Sequence, residues 1–301
     1  MQNVNKHTEG IKSYPFPYFS YSQLSSFQKC PHSFYLTYVK GLRTTNKYVE
    51  VGSLLHSIFE KHQNMTFKQN RKYDVVDAYD EFTEQFKTVD QSLFGNEEDY
   101  DNMYKKGLKA LQHYFESWTQ RNFEMISTEK KLLVKINDEL PNFYCVIDTI
   151  EVTNQKEITI TDYKTGSKEK TKNYLQNDLQ LPLYALAIKK SLGIFPHKVR
   201  FYHPVPNVEQ IAHHIGDGVY QFQTPRKPYP TFSVKKTLAT VETVIKQIRD
   251  AYTSGLFKKY EEDYYQCKFC FHFEECQVNK PLPKGLAGGW KEVYKYVKAF
   301  N

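Results

Sequence analysis

The sequence predicts a mixed α/β protein whose core runs helix, three-stranded meander, helix, strand, wrapped by additional helices in a single domain over residues 1–301. Three observations predict it. Residues 128–136, 143–152 and 157–163 are β-rich runs separated only by short polar turns at 137–141 and 153–156, the signature of antiparallel neighbours. Residues 174–192 then show helical spacing and lead into a further β-rich run at 198–203. Upstream, helical patterning extends from Ser20 to about residue 125.

Up to about residue 18 the chain, with Pro15 and Pro17, reads as an irregular lead-in. Ser20 is placed to cap a helix starting at Tyr21, and Cys30-Pro31 separates it from a second run through Tyr38 whose Phe34, Tyr35 and Tyr38 suit a core face. A further helix begins at Gly52, with Leu55, Phe59 and His62 near one face and His56 and Glu60 four apart on another. Residues 71–125 read as mostly helical with a break at 94–96, and the acidic run 97–101 as a solvated loop. These helices make an N-terminal region, 1–125, before the core at 126–203. In the last region, 204–301, the Pro- and aromatic-rich stretch 204–234 reads as an excursion or flap. His213 and His214, adjacent on an extended segment, face opposite ways and read as surface. An amphipathic helix is expected at 238–252, and a basic, aromatic tail carries Trp290, Tyr294 and Tyr296.

Lys and Arg number 41 against 34 Asp and Glu, a net charge of +7, and 16% of residues are aromatic. Such a surface suits a polyanion with stackable bases, because phosphates attract cations and exposed bases stack on rings. No apolar run is long enough to cross a bilayer and the N-terminus lacks a signal-like apolar segment, so a soluble, cytoplasmic protein without membrane contact is expected. Five cysteines, an odd number, argue against a secreted disulfide framework.

Two constellations carry chemistry. Asp162-Tyr163-Lys164 closes the third β-rich run before a turn at Gly166. On a strand, Asp162 and Lys164 project together while Tyr163 points away and leaves its carbonyl accessible. Alone, this tripeptide equally describes a solvated ion pair on an edge strand. Asp148, mid-strand, is poorly placed for a charge unless paired or metal-bound. Phosphodiester hydrolysis needs a nucleophilic water, neutralisation of charge on the phosphate and stabilisation of the departing oxyanion, and Mg²⁺ or Mn²⁺ held by carboxylates serves all three. In that arrangement Asp148 and Asp162 bind metal, with His56 and the Tyr163 carbonyl as further ligands. Lys164 orients or helps deprotonate the water, and Gln180 and Tyr184, four apart on a helix, clamp a phosphate or brace Lys164. The second constellation is Cys267, Cys270 and Cys276, able to converge on a metal from one tight loop, with Cys30 as the fourth thiol. Four thiolates suit zinc or an iron–sulfur cluster. Cys145, within a strand, reads as a buried structural residue.

The run Ser25 to Pro31, Gly52 with His56, Asp148, Asp162-Tyr163-Lys164-Thr165-Gly166, Gln180-Leu181 with Tyr184-Ala185, and the three late cysteines stand in a fixed order from about Ser20 to Cys276. Singly each motif is weak. The ordered set with its split cysteines resembles the PD-(D/E)XK nucleases of the RecB-like branch, in the group holding the AddB nuclease domain and CRISPR-associated exonucleases. The resemblance implies a restriction-endonuclease-like core with Mg²⁺ or Mn²⁺. It also implies a 4Fe-4S cluster at Cys30, Cys267, Cys270 and Cys276 that clasps the N- and C-terminal regions outside the reaction centre. Action on DNA is implied, commonly exonucleolytic, at single strands or ends in recombination, repair or replication, with a helicase or recombination partner supplying any unwinding. The alternatives are structural zinc at the same thiols, a DNA-end-binding or assembly module without turnover, and an RNA-acting or endonucleolytic member. Relatives often carry Gly three residues before the second-strand Asp, where this chain has Cys145. Glu129 matches a position often acidic in relatives and is carried as a supporting candidate.

Overall fold

The computed structural model describes residues 15–119, 121, 123, 125–225, 227–259, 267, 270 and 272–276, so the basic tail and most of the lead-in lie outside the described residues. Helix α1 (Tyr21–Lys29) begins where expected: Ser20 Oγ accepts from Gln23 N–H while the Gln23 side chain accepts from Ser20 N–H, a reciprocal cap. Pro31 opens the short α2 (Pro31–Phe34), continued by a π-turn over Tyr35–Val39. The next helix, α3 (Lys47–Gln63), starts five residues before Gly52, because the Asn46 side chain accepts from Tyr48 and Val49 N–H. Asp74 caps α4 (Val75–Phe86). The acidic run at 97–101 is not a loop but the first turn of α5 (Glu97–Thr119), where carboxylates meet the positive end of the helix dipole.

The three β-rich runs are β2 (Met125–Val134), β3 (Asn142–Val152) and β4 (Ile158–Tyr163), paired antiparallel in sequence order as predicted. A two-residue β1 (Tyr18–Phe19) joins β3 in parallel. Strand β5 (Lys198–His203) lies parallel to β4, so the connection must cross over a face of the sheet. That crossover is two helices, α6 (Lys172–Asn177) and α7 (Gln180–Leu192), where the sequence predicted one. Asp178 divides them: its Oδ2 accepts from Gln180 and Leu181 N–H at 3.0 and 3.3 Å, starting a new helix.

The stretch 204–234 is not a flap. It folds as β6 (Val208–Gly216), β7 (Val219–Phe222) and β8 (Thr231–Ser233), which extend the sheet antiparallel from β5. The β6–β7 turn is Asp217-Gly218, both at positive φ (+49° and +68°), the conformation that matches the twist of two antiparallel strands. Helix α8 (Val234–Ser254) follows at once, covering the predicted amphipathic segment. The last element among the described residues is the short α9 (Phe273–Cys276).

Alternation along the strands sends Ile160, Val199 and Phe201 into one apolar cluster, with α1, α7 and α8, and Tyr163 and Tyr202 into another, with α3, α4 and α5. The result is helix, sheet, helix. Positions 180–188 of α7 are buried on every side, as expected for a helix apolar all round. None of the described helices is long and apolar enough to cross a membrane.

Candidate active site

Strand β2 runs along one edge of β3, and the other edge is shared: β1 takes residues 142–143 and β4 takes 149–152. Beyond the Thr149–Thr161 pair, β3 and β4 part, and Asp148 and Asp162 stand on the two sides of that fork. A side chain replaces the missing ladder bond, since Tyr163 N–H donates to Asp148 Oδ2 at 2.7 Å. The strand also changes face here. Phe143, Cys145 and Ile147 enter the same apolar cluster as Ile150, so the in-and-out alternation slips across Asp148. On β2 the ladder pairs Thr128 with Thr149 and Lys130 with Ile147, placing Glu129 opposite Asp148, and Glu129 has φ +46°. A left-handed non-glycine residue in mid-strand is strained by roughly 1–3 kcal/mol, and such strain concentrates at functional sites.

Helix α3 brings His56 over the fork. Its Nδ1 lies 3.6 Å from Asp148 Oδ2, and the ring also hydrogen-bonds the Tyr163 carbonyl. Gly52, one turn earlier, explains the closeness: a Cβ there would lie 2.9 Å from Thr165 Oγ1, so only glycine lets the helix press on the turn after Lys164. Behind the sheet the Tyr163 side chain is buried, its hydroxyl bonded to Gln63 Nε2 and Thr149 Oγ1 at 3.2 and 3.3 Å. This anchors the carbonyl on the open side. Neither Gln63 nor Thr149 announces itself in the sequence, because each acts through burial alone.

His56, Glu129 and Asp148 offer ligand atoms within 4.8 Å of one another. Next to them stands a second group. Lys164 Nζ is 2.7 Å from Asp162 Oδ2 and donates to Gln180 Oε1 at 2.7 Å, while Gln180 Nε2 donates to Asp162 Oδ1 at 2.6 Å and reaches the Tyr184 hydroxyl at 3.0 Å. Gln180 therefore bridges the carboxylate and the ammonium, and Asp178, holding the start of α7, positions Gln180. An Asp shortly before an apolar helical run is a readable capping signal.

The electrostatics match this division. Burial, then the nearby Asp162 and Glu129, hold the Asp148 carboxyl well above the usual carboxylate range, against the Tyr163 N–H that lowers it. Burial and Glu60 push Glu129 up as well. Burial lowers the His56 pKa, outweighing Asp162, so the ring is neutral. Burial opposes the Lys164 charge, but Asp162 and Asp148 more than offset it and keep the ammonium above its ordinary range. Two crowded acids beside a neutral imidazole form a site that a divalent cation would relieve.

The cysteines lie elsewhere. Cys30 joins α1 to α2, and His32 N–H donates to the Lys258 carbonyl, tying that junction to the C-terminal segment. Burial raises the Cys270 thiol pKa, and the proximity of Cys30 and Cys267 raises it further. Cys276 ends α9, and His272 bonds Thr37 Oγ1 at 2.7 Å. Cys145 is a core residue, 5% exposed, its thiol pushed up to about 12 by burial. His214 packs on Phe195 and Tyr220, and its Nε2 accepts from Gly218 N–H, remote from the fork.

The chain is similar to known proteins at the level of the family. The family model described as the PD-(D/E)XK nuclease superfamily matches residues 18–277. The chain is 23% identical over 287 residues to the "Gene 69 protein" of Mycobacterium phage D29, covering 88% of this chain and 98% of that one. A solved structure described as "Crystal structure of SSO0001" aligns with 16% identity and a TM-score of 0.34 over 76% of this chain and 97% of that one.

Proposed function

The chain belongs to the PD-(D/E)XK nuclease superfamily, which implies a nuclease, and from that premise we propose that it is a Mg²⁺- or Mn²⁺-dependent exonuclease acting on single-stranded DNA or DNA ends. The observation that carries the reading is the meeting of His56, Glu129 and Asp148 beside the Asp162–Lys164–Gln180 group. Oxygen donors with one imidazole fit a hard or borderline divalent cation. His56, Glu129, Asp148 and the Tyr163 carbonyl would hold it, with Asp162 adjacent. When bound, such a cation would neutralise charge on a phosphate and lower the pKa of a nearby water.

The chain's own groups do the rest. His56 is kept neutral by burial, the form in which imidazole offers a lone pair. Lys164, protonated and held by Asp162 and Gln180, presents N–H groups where the attacking water and phosphate oxygens would lie. The fork supplies access, the Lys164 side chain being 22% exposed and that of His56 32%. The biological setting we favour is recombination, repair or replication, with unwinding supplied by a partner.

End-labelled single- and double-stranded DNA, and RNA of the same sequence, incubated with Mg²⁺ or Mn²⁺, test this directly. Wild type is expected to shorten DNA progressively from an end, and Asp162→Ala to leave it intact. A wild type that cuts no strand with either metal would sink the enzyme reading and leave an end-binding module.

We further infer a 4Fe-4S cluster at Cys30, Cys267, Cys270 and Cys276, in keeping with the neighbouring Cys30, Cys267 and Cys270 thiols. It would clasp the two ends of the chain and take no part in hydrolysis. Protein purified without oxygen is expected to be brown, with iron and sulfide in equal amounts. Colourless protein with stoichiometric zinc would show the other thiolate metal instead.

A further inference from the structure

Just beyond the active-site turn, Lys170 is fixed in an unusual way. The side chain of Gln210 on β6, 9% exposed, grips the Lys170 backbone on both sides: Oε1 accepts from Lys170 N–H at 2.9 Å and Nε2 donates to the Lys170 carbonyl at 2.8 Å. His203, fully buried on β5, is within 3.1 Å of the same Gln210 oxygen. A loop residue is thereby tied to the sheet by an amide from a neighbouring strand. Its ammonium lies over the Tyr174 ring, 4.5 Å from the centroid. The Tyr174 hydroxyl bonds that of Tyr21 at 3.0 Å, and Tyr21 donates to Asp178 Oδ1 at 3.0 Å, the same carboxylate that starts α7 and sets Gln180.

Half-buried and rigidly held, Lys170 has no carboxylate in ion-pair contact among the described residues. Burial disfavours its charge and Lys164 repels it; Asp178 and Asp162 attract it in part, Lys29 repels it more weakly, and the balance holds its pKa below the ordinary lysine value. A cation in that position is unfavourable until an anion arrives. Lys164 of the active site and Lys29, exposed at the end of α1, both act electrostatically on Lys170.

Building on the nuclease reading, we propose that Lys170, seated on Tyr174 and clamped by Gln210, is a binding subsite for the backbone phosphate next to the one cleaved. It touches the substrate strand but not the breaking bond. Its task is to hold the strand in register so that a single phosphate reaches the Asp148–Asp162 fork. Tyr174 and Asp178 link this subsite to Gln180, so the residue that positions the strand and the one that braces Lys164 rest on the same short helix pair.

The test uses the full chain with fluorescein-labelled single-stranded DNA. Binding is measured by anisotropy in Ca²⁺ over a range of salt, turnover in Mn²⁺, and melting temperature in parallel, for wild type, Lys170→Gln and Lys170→Arg. Lys170→Gln is expected to bind roughly tenfold more weakly, with a salt slope shallower by about 0.7 for one lost phosphate contact on a single strand. KM should rise more than kcat falls. Its melting temperature should hold or rise, because burial and Lys164 disfavour the charge by more than Asp178 and Asp162 restore, and Lys170→Arg should restore most of the affinity. Unchanged affinity and salt slope in Lys170→Gln would overturn the assignment. So would a weaker affinity that Lys170→Arg fails to rescue and that comes with a lower melting temperature, the mark of a structural role. If wild type neither bound nor cut any strand, the nuclease reading itself would fall, and this subsite with it.

Discussion

Asp148→Asn is expected to reduce metal-dependent cleavage by about a thousandfold or more, and yet to make the metal-free protein more stable at pH 8. Both follow from where the carboxylate sits. Burial, Asp162 and Glu129 hold its folded-state pKa well above the ordinary carboxylate value. A group raised in this way contributes stability that is fully present below its unfolded pKa, about 3.9, and that is lost as pH rises through the folded value. The metal-free wild type should therefore weaken as pH climbs from about 4 toward neutrality, and the neutral amide, still able to accept the Tyr163 N–H, should not. At pH 8 the variant is expected to gain about 1–3 kcal/mol. Added Mn²⁺ should raise the wild-type melting temperature and leave the variant's almost unmoved. Because binding must release the Asp148 proton, the Mn²⁺ needed for half-maximal activity should grow as pH is lowered. Cleavage assays over a Mn²⁺ titration read the activities, and calorimetry in chelator and in Mn²⁺, at pH 5 and pH 8, reads the stabilities. If Asp148→Asn melted below wild type in chelator at pH 8, the carboxylate would not be the strained element described.

Lys164→Met should lose activity by roughly 10²–10⁴-fold while keeping the Mn²⁺ requirement close to wild type, because the group formed by His56, Glu129 and Asp148 does not include it. Asp162 and Asp148 hold Lys164 protonated against burial. The side chain is thus a hydrogen-bond donor held by Asp162 and Gln180, and in the proposed reaction it would orient water and phosphate. Raising the pH toward 9 should accordingly not rescue the variant. Lys164→Arg should recover little, since a planar fork cannot occupy the position shared with Asp162 Oδ2 and Gln180 Oε1. Rates and Mn²⁺ titrations for the three proteins decide the matter. Activity of Lys164→Met within tenfold of wild type, or a large change in its Mn²⁺ requirement, would contradict the division between a metal-holding and a water-orienting group.

Much of this was legible in the residues. The meander was written in alternation and short turns, and the β2, β3 and β4 pairings follow it. The first helix was marked by its cap at Ser20. Where expectation and structure part, the reason is local chemistry that composition hides. Glu97, Glu98 and Asp99 looked like a solvated loop, yet acids are at home in the first turn of a helix. The 204–234 stretch looked like a flap because of its prolines and rings, while Asp217-Gly218 was the hairpin signal that mattered. The helix over 174–192 ran past a break because apolar periodicity does not register a carboxylate taking over two backbone donors at Asp178.

Residue type, spacing and order by themselves determined the α/β class and the antiparallel meander, because periodicity and caps act over a few residues and need no knowledge of the rest of the chain; motif order proposed the roster His56, Asp148, Asp162, Lys164, Gln180 and Tyr184. The tertiary structure alone decided how that roster divides. Parting of β3 from β4 separates Asp148 from Asp162, the positive φ of Glu129 turns a supporting acid toward Asp148, and Gly52 lets α3 lower His56 onto both. Those are contacts between segments tens of residues apart, set by packing and shared burial, and no local pattern encodes them.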